Sequence, residues 1–537
     1  MKLKLHFHTL RHLRLKQILY RLYYSFRRTA RQLLGTQYRY FVEKSVTPLN
    51  CSFTITSKNL YKDEALHFLN ITHPMPENGK IDWNFTGYGK LWNYHLNYFD
   101  YLTQPDISFD QGLQWVDSFI RQFEINRWGC DPYPTSLRLI NWIKFFNSRE
   151  SGKEVLSIAS SNAFLYSQAL ILKNNLEYHL LGNHLLENGF ALLFAAHYFN
   201  DQPLFALADK ILKRELKEQI LADGGHYERS PMYQQELLFH LLDCVNLMKH
   251  NRMFPGSLQQ LLERTASRML GWLQNMTFAD GSIALFNDCA NGVAPSTEEI
   301  SDYAGRLDIS PNWDTDNRQM SASGYRKIIK PDYELILDAG DIGPDFQPGH
   351  AHCDTLSFEM HLKGQLLFVD SGTSSYEDPE ARRIERGTAG HNTVAIEELE
   401  QSEIWSNFRV ARRAHARILR ETDDMIEAKH NGYKRLGASH IRKFTFEDKT
   451  IKILDKIKSR TTYNCYAYFH LHPDIAPIVE GNTVHLKDNT HIRFKNYGHL
   501  SLIDTYYSPE FNIRIPNKTI RVHFYSYHPL HTSIVIL

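Results

Sequence analysis

The hydrophobic pattern of this chain changes period once, near residue 320, and that change limits the folds open to it. From about residue 60 to 310, apolar residues recur at helical spacing. Leu96, Phe99 and Leu102 begin the run, followed by Leu137 to Ile143, Leu176 to Phe199, and Leu237, Leu241 and Val245 within Tyr233 to Met248. Turn-forming breaks at Asp131-Pro132-Tyr133-Pro134, Asp223-Gly224-Gly225 and Asp280-Gly281 separate these segments. Successive helices on short loops predict antiparallel hairpins stacked into a solenoid or toroid. Beyond 320 the segments shorten and often alternate: Tyr325 to Ile329, Glu334 to Leu337, Thr355 to Leu362, Leu366 to Asp370, Ala416 to Leu419, Ile451 to Leu454 and Arg521 to Phe524. That pattern predicts a large antiparallel β-sandwich. The fold class is therefore α+β and multidomain, with helices first, sheets second and a ligand cleft between them.

At 537 residues the chain exceeds one ordinary domain. The expected parts are a basic amphipathic helix over 1–45, a helical domain over 46–318 and a β domain over 319–537. A net charge of +1 provides no global field for nucleic acid. The six cysteines form no CxxC pair, which argues against a thiolate zinc site and a disulfide framework and predicts reduced thiols. Aromatics make up 13% of the chain, which suits rings stacking on sugars and equally a tyrosine-rich core. No apolar run approaches the roughly 18 residues of a spanning helix. The N-terminal stretch interleaves Lys2, Lys4, Arg11, Arg14, Lys16, Arg21, Arg27, Arg28 and Arg31 with Leu15, Ile18, Leu19, Leu22 and Tyr23. It lacks the apolar core and cleavage site of a secretory signal, so a cytoplasmic or membrane-peripheral location is expected. The helix either docks on an anionic membrane or a partner, or packs on the domain that follows.

Chemistry concentrates around Gly349-His350-Ala351-His352-Cys353-Asp354. In the alternating segment after it, Leu356, Phe358, Met360 and Leu362 share one face, which predicts a half-buried strand. If the strand extends backwards, His350 and His352 lie on its apolar face, an expensive place for two imidazoles unless something uses them. Asp370 ends the next strand and His391 follows in Gly390-His391-Asn392. Two histidines and one aspartate from three neighbouring segments make a three-ligand metal site, with a histidine left over. In the helical half, Asn183 and Glu187 stand one turn apart and can face one opening, although Asn183 also suits an N-cap. The segment Asp223 to Tyr233, with two tyrosines and Arg229, is either a structural corner or a wall of a site. Asn287 to Gly292 reads as a turn without decisive chemistry.

Several segments together resemble the heparinase II/III family of polysaccharide lyases: Trp92 to Asp100, Pro132 to Arg138, Gly182 to His184, Glu228 to Tyr233, Gly349 to Asp354, Val369 to Gly372 and Gly387 to Thr393. The resemblance implies an incomplete α/α toroid followed by an antiparallel β-sandwich, and β-elimination at a uronic acid of an acidic polysaccharide. It assigns carboxylate neutralisation to Asn183, with His184, and proton transfer to Tyr233 and His350; Tyr227 is the competing tyrosine. It places a structural zinc on His352, Asp370 and His391, leaving one position for water. Glu187, Arg229, Arg386 and Trp405 become candidates for substrate binding. Secreted members of the family carry signal peptides, so the periplasm is the alternative location. The basic N-terminal helix resembles that of members acting in capsule or exopolysaccharide assembly. Two other functions fit the same features: a non-catalytic glycan-binding or assembly factor, and a hydrolase using Glu187 and Glu228.

Overall fold

The computed structural model describes residues 2–35, 38–50, 58–76, 80–148, 158–254, 256–314, 320–486 and 490–536. The helical half contains α3 (Lys90–Tyr98), α4 (Phe109–Gln122), α5 (Pro132–Asn147), α6 (Ala159–Lys173), α7 (Gly182–Tyr198), α8 (Gln202–Gln219), α9 (Pro231–His250), α10 (Ser257–Asn275) and α11 (Thr297–Arg306). Alternate helices pack on each other. The row α3, α5, α7, α9 and α11 forms an inner wall, while α4 packs on α6 and α8 on α10 outside it. This is the arc of an α/α toroid. Helix α7 is covered by neighbours on every side, and among its residues only His184 is partly exposed. Pro132, read as part of a break, instead begins α5. Proline suits the first helical position, where its missing N–H leaves no bond unmade.

One part of this half is not helical. Strands β1 (Leu60–Lys62), β2 (Ala65–Phe68) and β3 (Ile71–Pro74) form an antiparallel meander. It is held by Phe68, whose ring lies 5.2 Å from that of Trp92 and 5.6 Å from that of Tyr101. The expected boundary at 318/319 lies outside the described residues; α11 ends at Arg306 and β4 begins at Tyr325.

The second half carries three antiparallel sheets. Strands β4 (Tyr325–Lys330), β5 (Tyr333–Asp338), β6 (Phe358–Leu362) and β7 (Gln365–Phe368) pair in that order. A second four-stranded sheet and an eight-stranded one complete the sandwich, and a single apolar core draws side chains from all three. Strand β6 departs from expectation in two ways. It is buried on both faces, and it begins only at Phe358. Leu335, Leu337, Phe358 and Met360 enter the sandwich core, whereas the opposite face meets the toroid. There His361 stacks on Phe278 at 3.9 Å and Glu359 accepts from the Leu285 N–H at 2.6 Å. The alternating polar residues thus mark a polar interface between domains. Before the strand the chain turns: Leu356 has φ +67° and the Ser357 N–H donates to the Asp354 carbonyl at 2.8 Å. His350 and His352 therefore lie on loop backbone, not on an extension of β6.

The N-terminal region forms two helices, α1 (Lys2–Leu10) and α2 (Leu15–Leu34). Helix α1 rests on the β domain, where the Trp405 indole donates to the Thr9 hydroxyl at 3.0 Å, and α2 rests on the toroid. Among the described residues no helix is long and apolar enough to cross a membrane. Cys51 lies outside the described residues, and the other five cysteines are free thiols.

Candidate active site

Three inner helices, α5, α7 and α9, present their N-termini to one cleft, and each brings a candidate functional side chain there. Tyr133 stands in the first turn of α5, Asn183 and His184 in that of α7, and Tyr233 in that of α9. Ser230 caps α9 by accepting from the Tyr233 N–H at 3.3 Å, which fixes where the tyrosine leaves the helix. The loop entering α7 is tighter still. Leu181 and Gly182 have φ of +67° and +63°, and a Cβ on Gly182 would lie 2.3 Å from the Gln347 amide.

The β domain closes the cleft with His350. Its ring centroid lies 4.3 Å from that of Tyr233, so a phenol and an imidazole from different domains meet. The Tyr233 hydroxyl is 3.1 Å from that of Tyr376, whose ring carries the Arg382 guanidinium at 4.8 Å. Burial, then the neighbouring Tyr376 and Asp288, raise the Tyr233 phenol well above its usual range, so it is protonated at neutral pH. Glu228 links the two walls: it accepts from the Asn183 N–H at 3.3 Å and lies 3.6 Å from His350 Nε2. The Asn183 amide oxygen is buried and has no protein partner.

Asp288 is the hub of the site, which the reading of Asn287 to Gly292 as an inert turn missed. It accepts from His350 Nδ1 at 2.8 Å, from His352 Nε2 at 2.7 Å, and from both terminal nitrogens of Arg382. Burial alone would raise its pKa, but Arg382 and the two imidazoles hold it well below the carboxylate range. The bond to Asp288 places the His350 proton on Nδ1 and leaves Nε2 facing the cleft.

His352, Asp370 and His391 converge, with one ligand atom from each lying within 4.8 Å of the others. All three are buried, and His352 Nδ1 and His391 Nε2 have no hydrogen-bond partner. Burial holds the His352 imidazole at a pKa of about 4, hence neutral. Asp288 occupies its other nitrogen, and Asp370 accepts from His391 Nδ1 at 2.7 Å. Asp370 outweighs burial and raises the pKa of the His391 imidazole. Two buried ring nitrogens without a hydrogen-bond partner, beside a carboxylate, fit a divalent metal.

Residues 135–312 match the heparinase II/III N-terminus and residues 314–533 the heparinase II/III-like C-terminal domain. The chain belongs to the heparinase II/III family. Among curated relatives it is 26% identical to FtsZ-localized protein C of Caulobacter vibrioides, over 51% of this chain and 50% of that protein. It is 26% identical to a heparin-sulfate lyase of Bacteroides stercoris, over 42% of this chain and 37% of that enzyme. It thus spans about half the length of these relatives or less. The heparinase III crystal structure superposes with a TM-score of 0.66 at 16% identity, covering 94% of this chain and 88% of that one. The heparan sulfate lyase of Pedobacter heparinus superposes at 0.56 and 18%, covering 86% and 79%.

Within this heparinase II/III framework, several expected substrate contacts have other partners. Arg386 is buried and donates to the carbonyls of Ala351, Ser406 and Asn407. It clamps the loop before His352 instead of reaching into the cleft. Arg229, at φ +61°, turns its guanidinium to the Asp341 carbonyl. Trp405 seats helix α1. Glu187 is fully buried and accepts from His240 Nδ1 at 2.8 Å. Tyr227 is also buried, its hydroxyl 3.4 Å from the Gln347 side chain that packs on Gly182. His184 does face the cleft, its ring tilted against that of Tyr133 at 4.6 Å, with Nδ1 3.0 Å from Glu177. Burial would lower its pKa, but Glu177 outweighs that and raises it. Beside it, burial pushes the Glu236 carboxyl up to about 7, and the Tyr133 hydroxyl donates to it at 3.4 Å. Tyr133, Glu236, His240 and Tyr376 were not singled out in the sequence.

Proposed function

We propose that the protein is a polysaccharide lyase that cleaves a uronic-acid-containing acidic glycan by β-elimination. The observation that carries this reading is the juxtaposition of Tyr233 and His350, 4.3 Å apart between ring centroids, across the domain boundary. Elimination needs three things at once: neutralisation of the uronate carboxylate, a base for the C5 proton and an acid for the departing 4-oxygen. The Asn183 amide offers a donor and an acceptor side by side, which matches the carboxyl group as its C5 carbanion becomes enolate-like. His184 stands next to it, its pKa raised by Glu177 against burial, so that the cationic form is favoured there. The His350 Nε2, with its other nitrogen fixed by Asp288, is the base. Tyr233, kept protonated by burial, is the acid; after product leaves, its phenolate is reprotonated and His350 Nε2 gives up the proton it took, which restores both groups.

The same reading places zinc on His352, Asp370 and His391 as a structural ion that rigidifies the loop carrying His350. A hydrolase built on Glu187 and Glu228 is not favoured. Glu187 is fully buried against His240, and Glu228 holds the Asn183 N–H and lies 3.6 Å from His350, so the two are committed to different partners and are not a pair flanking one glycosidic oxygen.

The test is incubation with a panel of uronic-acid polymers while following the ultraviolet absorbance of the unsaturated product. Tyr233→Phe is expected to lower turnover by roughly 10²–10⁴-fold while leaving glycan binding intact. New reducing ends without absorbance would indicate hydrolysis. Binding of acidic glycans without either signal would indicate the non-catalytic reading.

A further inference from the structure

Helix α2 is mounted with its apolar side away from the protein. Leu15, Ile18, Leu19, Leu22, Phe26 and Leu33 recur at helical spacing on one stripe, and all are exposed; Leu22, Phe26 and Leu33 reach 64%, 73% and 81%. The face turned inward is polar and basic, and specific contacts hold it there. Gln17, the one fully buried residue of the helix, donates to the carbonyls of Leu180 and Phe346. Arg14 stacks on Phe346 at 3.6 Å, Lys16 lies 4.0 Å over the Tyr178 ring, and the Tyr24 hydroxyl donates to the Leu176 carbonyl. The rotation of α2 is therefore fixed, and an amphipathic helix that buried its apolar face would need the opposite one. Phe7 and Leu10 of α1 and Phe41 are exposed in the same way. An apolar surface this long is rare on a chain that stays in water.

Charge identifies what covers it. Every formal charge in residues 1–42 is positive, although the whole chain is nearly neutral at +1. Arg11, Arg21 and Arg28 are exposed alongside the apolar side chains. An outward apolar stripe flanked by cations and free of acids complements an anionic lipid surface: the stripe enters the acyl boundary while the guanidinium groups remain among the headgroups. We propose that α1 and α2 dock this protein on an anionic membrane, lying in the interface without spanning it. The rest of the molecule is carried rigidly, because α1 is anchored to the β domain and α2 to the toroid. This inference stands apart from the lyase reading.

The experiment is flotation of the full chain with vesicles of phosphatidylcholine alone, and of phosphatidylcholine mixed with phosphatidylglycerol. The chain is expected to float with the mixed vesicles, poorly with the neutral ones, and less at high salt. The double variant Leu22→Glu/Phe26→Glu should weaken the association by about tenfold or more. Its thermal unfolding should match the parent, because both side chains already lie in solvent. Arg28→Glu should weaken flotation at low salt and make little difference at high salt. The proposal is overturned if the chain does not float with anionic vesicles, or if the double variant floats as well as the parent. It is also overturned if the parent is a dimer that the double variant dissociates, with no flotation, since the stripe would then join two copies of the chain.

Discussion

Asp288 accepts hydrogen bonds from His350, His352 and Arg382 together, and no neutral side chain can replace it. Asp288→Asn leaves the buried Arg382 cation without its counter-charge. That is expected to reduce unfolding free energy by about 3–5 kcal/mol, read from denaturant melts, and to abolish turnover. A variant of parental stability would mean that Arg382 had found a second anion. Nothing local marked this residue: it sits in an ordinary Asn-Asp turn, and its partners lie 62 and 94 positions away. Tyr376 escaped for the same reason, 143 residues from the tyrosine it serves. His350, His352 and Asn183 were legible because they fall within dense polar motifs. Arg386 and Trp405 were misassigned because composition reveals a cation or an indole but not where it points. His184 provides a sharper test at this scale. Glu177 raises its pKa above 6.5 against burial, so stability from this pair is complete below 6.5 and is lost as pH rises through the folded value. In Glu177→Gln only the smaller effect of Glu228 opposes burial, and the His184 C2–H resonance should titrate lower than in the parent. An unchanged titration would assign the shift to another group.

At the scale of elements, the site is a set of helix starts. The helical period was visible along α5, α7 and α9, but not that these three N-termini open on one cleft, because their packing in an alternate row is a tertiary fact. The strand after His352 shows how a correct period can mislead. Alternation predicted a water-facing side for β6, but the toroid covers it, with His361 on Phe278 and Glu359 on the Leu285 N–H. Polar residues facing another domain leave the same trace in a sequence as polar residues facing water. The entry to α7 makes its own prediction. Gly182→Ala puts a Cβ at φ +63° against the Gln347 side chain, at a cost of about 1–2 kcal/mol for the left-handed backbone alone. The adjacent Asn183 should move with it, so kcat is expected to fall further than the stability loss explains. Gly281→Ala is the control. It has a similar φ of +88° but open space around the new methyl, and should lose stability without losing kcat.

At the scale of the whole molecule, the three candidate metal ligands and the Tyr233–His350 pair share one buried chain of contacts. His352 lies beside Asp370 and His391 of the β domain and bonds Asp288, which stands between α10 and α11 of the toroid and also holds His350. An ion bound there would orient an imidazole whose other nitrogen bonds the hub between domains, and would give two buried ring nitrogens a ligand. Metal analysis of the purified chain is expected to return one zinc per molecule. Chelation should lower Tm and turnover together, and added zinc should restore both. His391→Ala should reproduce the chelated state and no longer respond to zinc, since it removes a ligand without touching Asp288. If chelation lowers Tm in His391→Ala as much as in the parent, the metal is bound elsewhere. If turnover survives chelation while Tm falls, Asp288 and Arg382 hold His350 in place by themselves, and the ion serves the sandwich alone.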